Sequence, residues 1–314
     1  MKSKKTFYYA VVFCCAILFT TVSVSVLAEE VFLFSKPLSG VYLMRGDSEE
    51  RIIYRQGSYI SPRLSPDGEK ILFHSRQGDE TGIWTTDSRG KEMERLCDGD
   101  QAEWSPDGKK IIFRRRDMIM EREVASGREE VITPEGWLPC EFPSYLPDGR
   151  VIFVSKGDGR DKIYLSNSDK KNSPQFLAEG DILSAPKCSP DGGKIAYQDG
   201  AHIYLMDFSD RRIRQLTLSG GVQSWLVWSR DSRNICYCQS PEARSGPWDI
   251  CRVQTDSPQN VGIVVRDVGI SPDWHGISPW ITTKVQLKGN SLNLWQIGKS
   301  LNEKESWKPL PMGD

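Results

Sequence analysis

Ser65-Pro66-Asp67-Gly68 recurs as Ser105-Pro106-Asp107-Gly108, Leu146-Pro147-Asp148-Gly149 and Ser189-Pro190-Asp191-Gly192, with decayed copies at Ser229-Arg230-Asp231-Ser232 and Ser271-Pro272-Asp273-Trp274. From one Asp to the next the steps are 40, 41, 43, 40 and 42 residues. Proline pre-sets φ for the second position of a tight turn, Asp bonds the turn backbone, and Gly accepts positive φ, so each copy is expected to be a hairpin turn. A constant period of this length indicates one four-stranded blade per repeat.

Outward from each turn the pattern continues. A β-branched residue, any residue and an aromatic come next, as in Ile71 and Phe73, Ile111 and Phe113, Val151 and Phe153, Ile195 and Tyr197, and Ile235 and Tyr237. Alternation sets each pair on one strand face, expected to be the contact between blades. The residue before each turn (Leu64, Trp104, Tyr145, Cys188, Trp228 and Ile270) is expected in the same interface. Third strands are read at Ile83-Trp84, Ile163-Tyr164-Leu165, Ile203-Tyr204-Leu205-Met206 and Asp249-Ile250-Cys251, and fourth strands at Arg95-Leu96-Cys97, Gln175-Phe176-Leu177 and Arg214-Gln215-Leu216-Thr217. No stretch combines a helical period with caps, so very little helix is expected.

The sixth copy lacks its own second strand, because Ile277, Ser278 and Pro279 occupy those positions and proline is poorly tolerated inside a sheet. Near the N-terminus, Phe32 and Phe34 reproduce the alternating pair, Val41-Tyr42-Leu43-Met44 mirrors Ile203 to Met206, and Arg51-Ile52-Ile53 mirrors Arg214 to Leu216. The expected fold class is therefore all-β: a six-bladed β-propeller with four-stranded antiparallel blades, closed by N-terminal strands (31–55) that join the last blade. The inner strand of that blade is expected at about Val268 to Ser271, and the clasp would cover two sheet edges. Residues 275–314 are read as a C-terminal extension packed on the propeller, with Lys284 to Leu287 and Leu292 to Ile297 as a hairpin; a seventh blade is the alternative.

The leader consists of Lys2, Lys4 and Lys5, then an apolar run from Phe7 to Leu27 that ends in Ala28, the order of a secretory signal peptide. Thr20, Thr21, Ser23 and Ser25 dilute the run below what a membrane-spanning anchor wants. Cys14 and Cys15 lack the preceding small residue of a lipidation site. The domain plan is thus 1–28 signal peptide, 29–274 propeller and 275–314 extension, with a periplasmic or secreted location. Without the three leader lysines, 38 Lys and Arg face 42 Asp and Glu, a net charge of −4. Such a balance supplies no electrostatic footprint for nucleic acid or an anionic membrane.

The repeated Ser-Pro-Asp-Gly followed by Lys-Ile-x-Phe, and later by Ile-Tyr-Leu-Met-Asp and Arg-Gln-Leu-Thr, resembles the WD-like repeats of the TolB-type propeller family over residues 31–274. The resemblance implies a propeller. It leaves function open, since such propellers serve in the periplasmic Tol system, as domains of serine peptidases and in proteins of unassigned role. TolB itself carries an α/β domain ahead of its propeller, for which no room is expected here.

Catalytic constellations are hard to find. The three histidines, His74, His202 and His275, are scattered and read as packing or strand-surface residues. This argues against a polyuronate lyase with a histidine-held metal. No G-x-S-x-G elbow is present, and the turn is not followed by the Thr-Trp of a sialidase Asp-box. The repeated aspartates and Asp158-Gly159-Arg160-Asp161 read as turn and loop formers before calcium ligands. Six cysteines lie beyond the leader, too few for a disulfide-dependent scaffold. Cys236 and Cys238 share a strand face with Cys251 expected on the next strand, as a cross-strand disulfide or as buried thiols; zinc would want a fourth ligand and closer spacing.

Trp137, Trp225, Trp248 and Trp280 sit near expected loops, where an indole can pack the loop or stack on a ligand; they are the candidate ligand-binding residues. No catalytic residue, cofactor or metal is expected. The expected function is an exported protein- or peptide-binding scaffold in the cell envelope, a monomer and not an enzyme. The alternative is a carbohydrate-binding or carbohydrate-cleaving propeller, suggested by the tryptophans with Glu135 and Glu141.

Overall fold

The computed structural model describes the backbone between residues 31 and 295 and side chains between residues 61 and 262, both with gaps. Residues 1–28, expected as a leader, lie outside the described residues, as do Trp248, Trp280 and the side chains of Phe32, Phe34 and His275. Among the described residues the regular structure is all strand.

Three N-terminal strands, β1 (Val31–Lys36), β2 (Gly40–Arg45) and β3 (Ser48–Ile53), precede the repeats. Five four-stranded antiparallel blades then succeed one another in chain order. The first is β4 (Ser58–Leu64), β5 (Lys70–Gln77), β6 (Glu80–Asp87) and β7 (Glu94–Asp98). The second is β8 (Asp100–Trp104), β9 (Lys110–Arg115), β10 (Met118–Glu123) and β11 (Glu129–Val131). The third is β12 (Cys140–Tyr145), β13 (Val151–Ser155), β14 (Asp161–Leu165) and β15 (Gln175–Gly180). The fourth is β16 (Leu183–Cys188), β17 (Lys194–Asp199), β18 (His202–Asp207) and β19 (Ile213–Gln215). The fifth is β20 (Val222–Trp228), β21 (Asn234–Ser240), β22 (Asp249–Gln254) and β23 (Ser257–Val265).

Against the expectation of six blades, five are thus described with their side chains. A further sheet, in the order β24-β1-β2-β3, pairs β24 (Ile270–His275) with β1 and is described through its backbone. The last two strands, β25 (Lys284–Lys288) and β26 (Ser291–Trp295), form a two-stranded hairpin of which β25 touches β23.

The turns explain why the strands begin where they do. Ser65 donates its hydroxyl to Asp67 at 2.5 Å and accepts the Lys70 N–H at 2.9 Å, while Asp67 also accepts the Glu69 N–H at 3.0 Å. The same lattice recurs around Asp107, Asp191 and Asp231. In the third copy Leu146 replaces the serine, and the Arg150 guanidinium bonds Asp148 instead. The glycine position has φ between 70° and 83° in four copies, and Ser232 adopts φ 60° in the fifth. There the strained serine accepts the Asp191 N–H across to the fourth blade at 3.0 Å. The sixth copy departs from expectation: Ser271 to Trp274 is no turn but part of β24, with Phe32 opposite Trp274 and Leu33 opposite Asp273. Trp274 stands where the other copies have glycine or serine, and a bulky aromatic disfavours positive φ, so the strand runs on.

Each second strand is buried on both faces. Ile111 and Phe113 pack with Leu72 and Ile83 of the preceding blade, and Ile235 and Tyr237 with Ala196, Ile203 and Leu205. The expected interface is present. The intervening position, taken in the sequence as open to any residue, is Leu72, Ile112, Ile152, Ala196 or Cys236, each at most 1 % exposed. It serves the next blade, so the strand reads as a nearly continuous apolar run.

The cysteines fall under the same geometry. Tyr237 pairs with Cys251, whereas Cys236 pairs with Arg252 and Cys238 with Ile250. Directly paired residues share a face, so Cys251 lies on the opposite face from Cys236 and Cys238. A bridge from Cys251 to either is thereby ruled out, and none of the six cysteines from Cys97 to Cys251 is joined in a disulfide.

Candidate functional site

The inner strands carry a feature the tetrapeptides do not announce. Six residues before each turn aspartate a non-glycine residue has positive φ: Ser61 (50°), Gln101 (54°), Phe142 (53°), Ala185 (47°) and Trp225 (53°). Pairing register slips at the same place in all five blades, between Ile60 and Arg63 in the first and between Ser224 and Val227 in the fifth. This is a repeated β-bulge, which bends the strand and re-aims the side chains on its far side. Pro62, Pro143 and Pro186 come next in three blades, and proline is accommodated at bulges because no ladder donor is needed there.

Beyond the bulge the strands converge on a cavity of about 320 Å³. Its wall repeats with the blades. The fourth residue before each turn aspartate contributes Arg63, Glu103, Ser144, Lys187 and Val227; Trp104, Cys188 and Trp228 stand beside them, and Arg230 enters from the last turn. The cavity lies at the turn end of the inner strands, since Pro66 and Arg230 are both second residues of turns.

Two hydrogen bonds across blade boundaries set this wall. The Trp104 indole N–H donates to the Arg63 carbonyl at 3.2 Å, and the Trp228 indole N–H to the Lys187 carbonyl at 3.0 Å. The Lys187 ammonium, from the fourth blade, forms an ion pair with the Glu103 carboxylate of the second. Burial pushes the Cys188 thiol up to about 12, which keeps it neutral.

At the other end of the inner strands lies a second polar cluster. Arg114 bonds Asp100 at 2.8 and 2.7 Å and Glu141 of the next blade at 2.5 Å. Gln101 accepts the Phe142 N–H at 2.5 Å. These groups satisfy one another and read as stitching between blades. His74 is 9 % exposed, and its Nδ1 has no hydrogen-bond partner among the described residues. Burial is the main cause that lowers its pKa to about 4.

The tryptophans singled out in the sequence are not brought together. Trp137, on the connection entering β12, packs edge-on against Tyr164 at 4.7 Å and Phe153 at 6.2 Å, the loop-packing role. Trp225 occupies the bulge of β20, half-buried beside Leu226 and Val227 of the cavity wall. Glu141 is held by Arg114. Arg63, Glu103, Lys187 and Arg230 were missed by sequence reasoning; a polar residue four places before the turn aspartate in four of the five blades was the one usable signal for the first three. Among the described residues no group of three or more metal-ligating side chains comes together.

Blades of this make, with inner strands converging on one cavity, define an all-β propeller with four-stranded antiparallel blades. A family model described as the TolB beta propeller domain matches residues 33–182. Over these residues, just under half of its length, the chain is similar to the TolB β-propellers. It is 26 % identical over 136 residues to the Tol-Pal system protein TolB of Roseobacter denitrificans, covering 37 % of this chain and 30 % of that one. Among solved structures, TolB from Acinetobacter baumannii superposes with a TM-score of 0.64 at 20 % identity, covering 79 % of this chain and 66 % of that one. A putative TolB from Agrobacterium tumefaciens gives 0.62 at 16 % identity, over 76 % and 89 %. At these identities the structures speak for the fold. The chain spans under a third of the length of the curated relatives it matches.

Proposed function

We propose that the protein is an exported binding scaffold of the cell envelope, acting in the periplasm or outside the cell as a monomer, and that it holds a segment of a partner protein at the turn end of its channel. The observation that carries this reading is the cavity walled by equivalent positions of five successive blades, in a chain whose relatives include a Tol-Pal system protein. A site assembled from five blades depends on the ring, and propellers use such ring mouths for ligands. Trp225, next to the wall, is proposed as a further contact.

The same proposal includes residues 1–28 as a cleaved leader, 29–274 as the ring and 275–314 as an extension on it. The sheet β24-β1-β2-β3 would serve as the sixth blade and close the circle, which is supported by β24 touching both β20 and β4, the inner strands of the fifth and first blades. A binding role is favoured over glycan cleavage, because Glu141 is committed to Arg114 and Trp137 to its aromatic neighbours.

The test is site-specific photo-crosslinking in the envelope. A photoreactive residue at position 230, which is exposed and lines the cavity, is expected to give discrete protein adducts, and one at exposed position 89 on an outer turn none. Identical adducts from both positions, or none from 230, would overturn the assignment.

A further inference from the structure

We propose that the Lys187–Glu103 ion pair is a latch: it spans the channel mouth in front of the third blade and parts when a partner segment enters. This adds a mode of access to the binding reading of the same cavity and rests on it, while the latch itself is read without any partner.

Register is the first argument. Glu103 pairs with Ile112, Ser144 with Ile152 and Lys187 with Ala196, so the three residues occupy one equivalent position on the inner strands of the second, third and fourth blades. A bond from the second blade to the fourth skips the blade between them. Successive blades turn about the cavity they line, so a line joining two that are not neighbours crosses it as a chord. Ser144 lies behind that chord.

Burial is the second argument. Of the five equivalent wall positions, Arg63, Glu103, Lys187 and Val227 are half-buried, whereas Ser144 is 4 % exposed. The short serine leaves the room in which a long lysine and a glutamate meet, and the paired side chains shut it off from the channel. Lys187 and Glu103 are themselves only 18 % and 16 % exposed, so each charge depends on the other for compensation.

The fixed frame around the pair is the third argument. The Lys187 carbonyl is held by the Trp228 indole, and Trp104, next to Glu103, is anchored to the Arg63 carbonyl. Opening therefore asks for rotation of two flexible side chains on strands that stay where they are, with both charged ends swinging into water. The closed cavity of about 320 Å³ lies at the lower end of ligand pockets, and parting the pair adds the wall of the third blade to it.

Thiol labelling of the full chain, read site by site by peptide mass spectrometry, tests the latch. S144C sets a thiol behind the pair and is expected to label slowly. Adding E103Q or K187Q should speed that labelling by about ten-fold or more, since either change leaves one charge uncompensated and drives it into water. The swap E103K/K187E re-forms the pair in reverse and should return the rate to within about three-fold of S144C alone. High salt on S144C with its latch unaltered should give an acceleration of about two-fold or more. Cys188, which lines the same cavity, supplies a reading without an introduced thiol and should follow E103Q in the same sense. Cys140, fully buried, should stay unlabelled throughout.

No acceleration by E103Q and K187Q, or a swap as open as the single changes, would overturn the latch. Where Cys140 labels as well, the variant has opened the blade, and the salt series decides: a rate indifferent to salt rejects the latch. Acceleration with no adducts from position 230 would keep the latch and reject the partner; adducts without acceleration would do the reverse.

Discussion

Single residues here carry two kinds of pH dependence that act in different ranges. The turn aspartates Asp67 and Asp107 are held below the usual carboxylate range, first by the hydroxyls of Ser65 and Ser105 and then by N–H groups of the turn. Their contribution is complete above the ordinary value near 4 and fades as the pH falls through the lowered one. His74 acts earlier. Its folded pKa of about 4 stands below the ordinary 6.5, so the neutral form is favoured by folding; stability is intact above 6.5, declines as the pH falls and has lost its full share near 4. The loss is on the order of 3 kcal/mol. Urea unfolding at pH 7.5, 6, 5 and 4.5 should show this decline, and His74→Gln should flatten it; an unchanged slope would remove His74 as the cause.

At the scale of elements, two-sided burial of the second strand and the bulge of the first decide the blade. Ile112, at an intervening position, is as buried as Ile111 at the recognised one. Ile112→Ala is therefore expected to cost about 3 kcal/mol, no less than Ile111→Ala, by denaturant unfolding; a cost under about 1 kcal/mol would contradict packing on the second face. The bulge predicts a change of opposite sign. Ala185 adopts φ 47° with a methyl group that glycine would lack, so Ala185→Gly should leave stability unchanged or raise it by up to about 1 kcal/mol. The same substitution at Ala196, inside β17, should destabilise. The turns and the alternating faces were legible in the sequence because each is dictated by neighbours a few residues away. The bulges were less so, since Ser, Gln, Phe, Ala and Trp share no chemistry that announces positive φ, and only Pro62, Pro143 and Pro186 mark the place.

For the whole molecule, the meeting of the two chain ends is what the proposed closure stands on. Deleting residues 31–55 would expose β24 as an unpaired edge. The expected result is a fall in Tm of about 10 °C or more, with association detectable by light scattering. A Tm within about 2 °C of the intact chain would refute the closure. Buried thiols supply an independent check on the ring's integrity. Burial pushes Cys97 up to about 11 and Cys140 up to about 12, so neither should react with a thiol reagent at neutral pH, whereas all six from Cys97 to Cys251 should in denaturant.

The sequence by itself determined the repeat, five of its turns and the strand faces, because turn chemistry and two-residue alternation are local and are restated every 40 or so residues. Tertiary structure alone decided the rest. It carried β24 through its decayed turn, separated Cys251 from Cys236 and Cys238 by register, and brought Arg63, Glu103, Lys187 and Arg230 to one cavity. Those four residues lie up to 167 positions apart, from 63 to 230, and nothing short of the curvature of successive blades places them along one cavity wall.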